Sequence, residues 1–536
     1  MDDQWTGFRG AVPRDGQRAR RGASGPYPGL ERRFAGHGLK ARGVSLVDQR
    51  PGATLAVAIL AVTALRLLAL SAASTDLYVD EAQYWSWAQH PAWGYFSKPP
   101  LIAWLISLSQ TVCGTGEACV RAPSALAWAV TAAAAAGLGS TLYGDRAGLW
   151  AGLSALLAPG AAYSARIIST DAPLLAFWSL TLLAFVRLRA GGGWGWGFLL
   201  AAGFGLGLLS KYAMAWFPAC LLVAAMVDPA SRRALVRPPV WGGLLAGSLM
   251  LVPNLAWQAA HGLATLKHTA GNASSSGGPG LDDGLSFVVA QFALAGPVIL
   301  AAVAAAAWLW ARGRPGLPQD RLLLAFSAPV ILLFIAMAFV TRANANWAAT
   351  GLVAVFVLGP ALLLRHGRTG WLIGGLAFGL LVQILLPLAD ARAQHLTVGG
   401  RPVFERTLGW HQFGTAAADR ARAAGTDIIV AERRRDTAAL LYYARESSLR
   451  IAAWPAADRE PQDHFQMDRP LTALAARGRG VLAITACAGA DRFAGWARVT
   501  DLGELAVPAG AGAVRQWRLY RLEGPPPVVR RPAPCP

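Results

Sequence analysis

Charge is what this 536-residue chain has least of: Asp, Glu, Lys and Arg together supply 15% of it, where a soluble domain carries about a quarter. So thin a polar coat excludes an ordinary soluble globule. Acidic residues are the scarcer sign, 30 against 49 basic ones, giving a net charge of +19. The five cysteines (Cys113, Cys119, Cys220, Cys487, Cys535) have no metal-ligand spacing. Among 59 glycines there is no Gly-rich phosphate loop of the nucleotide-binding type. The two halves show no repeat symmetry, which a transporter built from duplicated halves would carry.

What is abundant is apolar sequence, 54% of the chain. Apolar runs fall near 52–72, 99–113, 121–142, 147–168, 171–188, 194–210, 212–227, 239–257, 285–310, 322–341, 346–365 and 370–388. Several approach the ~20 residues that cross a bilayer as helix, so the chain reads as a mainly α, polytopic membrane protein. Basic residues cluster in the Arg-, Gly- and Pro-rich segment 1–48, read as a disordered cytoplasmic tail, and at Arg232-Arg233, 312–321 and 365–368. Charges placed so hold loops on the cytoplasmic side, and this distribution argues against nucleic acid as a partner. The first 48 residues are a poor match to a signal peptide, because the apolar run starts too late. With 49–389 as the membrane domain, Asp80, Lys211, the 258–284 loop and everything after 390 face outward. An odd number of apolar stretches between Asp80 and Asp171 would put those two on opposite faces. Either the short 99–113 segment or the 147–168 stretch, broken at Pro159-Gly160, is therefore expected to be a partial span, giving 11–13 helices. Residues 390–536 turn amphipathic and read as an extracytoplasmic α/β domain, with strands at 427–432, 480–486 and 514–522 and a helix at 436–445. Cys487 and Cys535 both fall there, where a disulfide can persist.

The loop 73–98 is the richest in chemistry. Asp80 and Glu81 are adjacent carboxylates, followed by Tyr84, Trp85, Trp87, Trp93, Tyr95 and Lys98. One reading makes the tryptophans an interfacial belt among lipid headgroups. That leaves Asp80 and Lys98 unexplained, since ionisable groups at membrane depth are costly and usually functional. A carboxylate near a lysine suits a reaction in which an acceptor hydroxyl loses its proton to Asp while Lys neutralises a departing phosphate.

The loop resembles the first external loop of the GT-C glycosyltransferases, the superfamily of the protein O-mannosyltransferases and the lipid A aminoarabinose transferase. Asp80-Glu81-Ala82-Gln83-Tyr84 is similar to the family's Asp-Glu-x-x-Tyr, and Tyr95-Phe96-Ser97-Lys98-Pro99 to its Tyr-Phe-x-Lys-Pro. Val120 to Ser124, Ser169 to Pro173, Ser210 to Tyr212, Ala345 to Ala348, Leu408 to Trp410 and Ala439 to Tyr443 resemble further family segments in the same order. The resemblance implies a GT-C fold and a transferase that takes sugar from a polyprenyl-phosphate carrier at the periplasmic face of the bacterial inner membrane. Lipid, cell-envelope glycan and protein stay open as acceptors, with lipid A modification and protein O-mannosylation the two family activities. It implies Asp80 as base, Asp171 as a second catalytic carboxylate, and Glu81, Tyr84, Tyr95, Lys98 and Lys211 as substrate contacts. A divalent metal stays open as a cofactor, although Ser97 stands where the aminoarabinose transferases carry Glu before the lysine.

The same residues admit plainer readings. Asp171 opens a helix and could simply cap it. Lys211 could snorkel from a membrane boundary. His261, Lys267 and His268 lack a third ligand at metal spacing. The alternative at the level of the whole protein is a transporter or flippase of lipid-linked sugars.

Overall fold

The structure, a computed structural model, describes residues 49–274, 280–314, 316–341, 343–456 and 460–532. All of these lie in one compact unit, Gly43–Pro536. The basic segment 1–48 and Cys535, set beside Cys487 as a candidate partner, lie outside the described residues.

Among the described residues seven helices are long and apolar enough to cross a membrane: Pro51–Ser71, Glu117–Tyr143, Asp171–Arg189, Pro238–Ala260, Pro318–Val340, Ala345–Arg365 and Thr369–Asp390. Leu101–Cys113, Trp194–Ser210 and Tyr212–Val227 are apolar but shorter. Fewer full-length spans appear than the apolar runs suggested, because the chain breaks several of them. The run at 285–310 is not one helix: it bends by 114° between Leu281–Ala295 and Pro297–Ala311. Gly296 makes the corner at φ +89, a conformation open to glycine, and Pro297 cannot continue the ladder. The 147–168 run likewise divides into Asp145–Leu157 and Pro159–Ser164. That break frees the Leu156 carbonyl, which takes a 2.6 Å hydrogen bond from the buried guanidinium of Arg66. Arg66 also donates to Gln383 at 3.2 Å. An intramembrane arginine thus satisfies backbone that lipid could not.

Ion pairs mark the two ends of the bundle. At one end Arg189 pairs with Asp228 at 2.7 Å and Arg365 with Asp320 at 2.6 Å, with Tyr143 donating to Asp320. These join the connections that sequence placed together on one face. At the other end Arg121 pairs with Glu81, Lys211 with Asp171 and Arg166 with Asp390. Cys113 and Cys119, whose pairing sequence did not single out, form a disulfide that ties the end of Leu101–Cys113 to the first turn of the Glu117–Tyr143 helix.

After Asp390 the chain builds a five-stranded sheet. Ile428–Ala431 runs parallel to Arg450–Ala453 on one side and to Val481–Thr485 on the other. Val514–Glu523 then adds antiparallel to Val481–Thr485, and Arg498–Pro508 pairs antiparallel with it at the edge. Ile428–Ala431 and Val481–Thr485 are buried throughout, the run pattern expected of inner strands. The helices Trp410–Ala423 and Arg434–Tyr443 flank the sheet. Sequence anticipated three of the five strands; Arg450–Ala453 and Arg498–Pro508 were missed because each begins with exposed arginine and carries little alternation.

The sheet domain shares a hydrophobic core with the 73–98 loop. Leu77, Ala82, Tyr84, Trp85, Trp87 and Tyr95 pack in one cluster with Trp410, Phe413, Tyr442, Tyr443 and Phe465. The interfacial-belt reading of the tryptophans is therefore corrected. Trp85 and Trp87 are 6% and 1% exposed beneath the sheet domain, and of the three only Trp93 is open, at 50%.

Candidate active site

The loop owes its shape to a few buried contacts. Val79–Ala88 is helical, and Glu81 in its first turn is 1% exposed. Its carboxylate accepts from Arg121 Nε and Nη2, each at 2.9 Å, from Ile168 N at 2.9 Å and from Tyr78 N at 2.9 Å. Arg121 also donates to the carbonyls of Thr75 and Asp76. Glu81, expected among the substrate contacts, is thus enclosed, and all of its bonds run to protein. It positions the loop on the Glu117–Tyr143 helix. Tyr95 is enclosed in the same way. Its ring stacks on Trp87 at 4.6 Å and 4°. Its hydroxyl donates toward the Trp87 and His90 carbonyls and accepts from Ala92 N.

The return of the loop is held from the neighbouring helices. Asn254 donates to the Trp93 carbonyl at 2.7 Å and accepts from the Tyr212 hydroxyl, while Thr265 donates to the Tyr95 carbonyl. Gly94 lies so close to the Trp257 ring that a Cβ would approach it to 2.5 Å; only glycine fits there. These contacts bring Lys98 back toward Asp80.

Asp80, one residue earlier in the helix, turns out of the pocket that encloses Glu81 and is 43% exposed through its side chain. Its Oδ1 takes a 2.8 Å hydrogen bond from Arg434 Nη2, and Arg434 Nη1 donates to Gln83 at 2.7 Å. Arg434 begins the Arg434–Tyr443 helix of the sheet domain, so that domain reaches the membrane loop with a cation. Sequence placed a helix there without giving Arg434 a role; the only signal was the Arg433-Arg434-Arg435 run.

Asp171 sits in the first turn of Asp171–Arg189, but no side-chain cap is made there. Its two oxygens accept from Lys211 Nζ and from Asn346 Nδ2, both at 2.7 Å. The capping reading of Asp171 and the snorkelling reading of Lys211 both give way to this half-buried pair, 13% and 20% exposed. Asn346 belongs to a segment that sequence matched as a motif without assigning it to the site.

Lys98 completes the group. Burial pushes its ammonium below the usual lysine range, with Lys211 and Arg434 acting in the same direction and Asp80 and Asp171 opposing them. Five charged groups therefore share one field, and Asp171 and Asp80 lie at the same end because the short Leu101–Cys113 helix starts and finishes there, with Gln110 accepting from Gln89 and the Thr115 carbonyl from Tyr442. Among the described residues the Lys98 ammonium has neither hydrogen-bond nor ion-pair partner. Tyr84 lies in this field with its hydroxyl pushed up by burial and by Asp80 and Asp171. His268 borders it through Phe96, with ring centroids 5.6 Å apart, and burial with Lys98 and Arg434 favours its neutral form. His261 instead stacks on Trp257 and Lys267 pairs with Glu460.

Among the described residues no group of three or more His, Cys, Asp or Glu is placed to hold a metal ion, and Asp171 is committed to Lys211 and Asn346. What the arrangement offers is one accessible carboxylate, one unpaired ammonium, and two cations already balanced by carboxylates.

The sequence profile of the dolichyl-phosphate-mannose-protein mannosyltransferases matches residues 97–257, which include Lys98, Asp171 and Lys211. The lipid A galacturonosyltransferase RgtD of Rhizobium johnstonii is 34% identical over 418 residues, covering 77% of this chain and 87% of its own. Among solved structures, ArnT from Cupriavidus metallidurans bound to undecaprenyl phosphate superposes with a TM-score of 0.61 at 15% identity, over 92% of this chain and 100% of ArnT. Its apo form gives 0.59, over 87% and 97%. With the 34% identity over most of both chains, the chain belongs to the GT-C glycosyltransferases, in the family of the lipid A galacturonosyltransferase RgtD, and is a multi-pass membrane enzyme.

Proposed function

We propose that the enzyme transfers a galacturonosyl residue from a polyprenyl-phosphate carrier to a lipid A-type acceptor at the periplasmic face of the inner membrane. The observation that carries this reading is the unpaired Lys98 ammonium beside the accessible Asp80 carboxylate. A lipid carrier keeps its tail in the bilayer and presents its phosphate only at headgroup depth, so an anion-binding lysine belongs at the end of the bundle. In the reaction the acceptor hydroxyl oxygen bonds to the sugar's C1, and its proton passes to Asp80. The C1–O bond to phosphate breaks, and its electron pair leaves on the phosphate oxygen, where Lys98 balances the charge. Lys211, held by Asp171 and Asn346, stands ready as the second phosphate ligand. Tyr84 lines the donor side, while Glu81 and Tyr95 hold the loop. The name of the 34%-identical relative supports both sugar and acceptor.

Mass spectrometry of cells lacking the gene tests this. The lipid pool should accumulate polyprenyl-phosphate galacturonate while lipid A loses a galacturonate. An unchanged lipid A with no accumulated carrier would remove the assignment.

A further inference from the structure

The ion pairs of the site leave one cation for the phosphate and tie the base to another. Lys211 is balanced by Asp171 at 2.7 Å and Arg434 by Asp80 at 2.8 Å, which leaves Lys98 for the single negative charge of a sugar phosphodiester. When Asp80 accepts the acceptor's proton it becomes neutral, and Arg434 loses its counter-ion. Before that, the guanidinium occupies one of the two Asp80 oxygens that could take the proton. Both difficulties vanish if the substrate brings a second anion to Arg434. The guanidinium is a planar fork, held on one tine by Gln83 and 37% exposed at its side chain, and such a fork matches a carboxylate bidentately where an ammonium does not. Arg434 comes from the sheet domain, whereas the phosphate ligands Lys98 and Lys211 come from the membrane part, so sugar and phosphate are read from different sides.

From the proposed reading of the donor, we infer that Arg434 is a specificity-determining residue that exchanges Asp80 for the carboxylate of a hexuronate donor sugar. Recognition of an acidic sugar and release of the base are then one event, and a neutral hexose on the same carrier leaves Asp80 masked.

The test uses the purified full-length enzyme with undecaprenyl-phosphate galacturonate and undecaprenyl-phosphate galactose, which differ at C6. A site built around a polar group rejects an analogue lacking it by as much as ~10⁴-fold, so the wild-type kcat/KM ratio should be at least about 10² in favour of the uronate. Arg434→Ala should bring that ratio to within about tenfold of unity, and Arg434→Lys, keeping charge without the fork, should fall between. Undecaprenyl phosphate, which has no sugar, should bind Arg434→Ala as it binds wild type, and this also certifies the fold. If both donors slow equally and the ratio is kept, Arg434 is structural and the inference fails. It fails too if undecaprenyl phosphate affinity drops tenfold or more, because Arg434 then reads phosphate. Wild-type preference for the neutral donor would overturn the galacturonosyl reading itself, and the inference with it.

Discussion

Asp80 and Glu81 are neighbours in sequence, yet their replacement should fail in opposite ways. Glu81 is enclosed and accepts four hydrogen bonds, two of them from Arg121, whose side chain is 3% exposed. Removing one partner of a buried ion pair costs about 3–5 kcal/mol, because the other charge stays behind. In Glu81→Ala the stranded N–H groups of Tyr78 and Ile168 add about 1–3 kcal/mol each. The sum rivals the whole stability of an ordinary domain, about 5–15 kcal/mol, so Glu81→Ala should not be recovered folded. Glu81→Gln keeps the shape and should unfold at a clearly lower temperature. Asp80 is 43% exposed with one ion-pair partner, and pairs of that kind contribute at most about 1 kcal/mol. Asp80→Asn should therefore keep the wild-type unfolding midpoint while turnover drops by ~10²–10⁴, the usual worth of a general base. Thermal unfolding followed by size-exclusion in detergent, beside a transfer assay on the same samples, separates the two. Glu81→Gln with a wild-type midpoint and collapsed turnover would put Glu81 in the chemistry, and wild-type turnover in Asp80→Asn would take Asp80 out of it.

Two further outcomes follow from the sheet domain. Tyr443 accepts from Leu77 N at 2.6 Å and donates to Glu117, so Tyr443→Phe strands a buried N–H at a cost of about 1–3 kcal/mol; faster proteolysis after Asp390 should report it, and unchanged proteolysis would mean that the contact does not hold the domain. Burial pushes the Asp436 carboxyl from 3.8 up to about 6, against the pull of Arg433 and Arg435. Between those pH values the folded protein holds more protons than the unfolded chain, so stability falls as pH rises from about 4 to about 6, by about 3 kcal/mol in all. Asp436→Asn should lose this part of the pH dependence and gain stability at pH 7, whereas identical slopes in both proteins would show that Asp436 ionises in the fold as freely as outside it.

Composition and run length alone determined that this is a helical membrane protein, because a bilayer leaves the backbone no other partner than itself over ~20 apolar residues. The ordered motifs likewise determined the superfamily and singled out Asp80, Lys98, Asp171 and Lys211, which the fold brings into one field. Local pattern also located the sheet domain, since an inner strand such as Ile428–Ala431 is apolar throughout. What only the tertiary structure decided is which way each side chain turns. In Val79–Ala88 one residue of helix is a 100° rotation, enough to send Glu81 into the protein and Asp80 into the site. Whether a Trp meets lipid or another domain depends on what docks from more than 300 residues away, as Trp85 does against Tyr442. Arg434 joined the site for the same reason: it lies 354 positions from Asp80, and no local pattern specifies a meeting at that range.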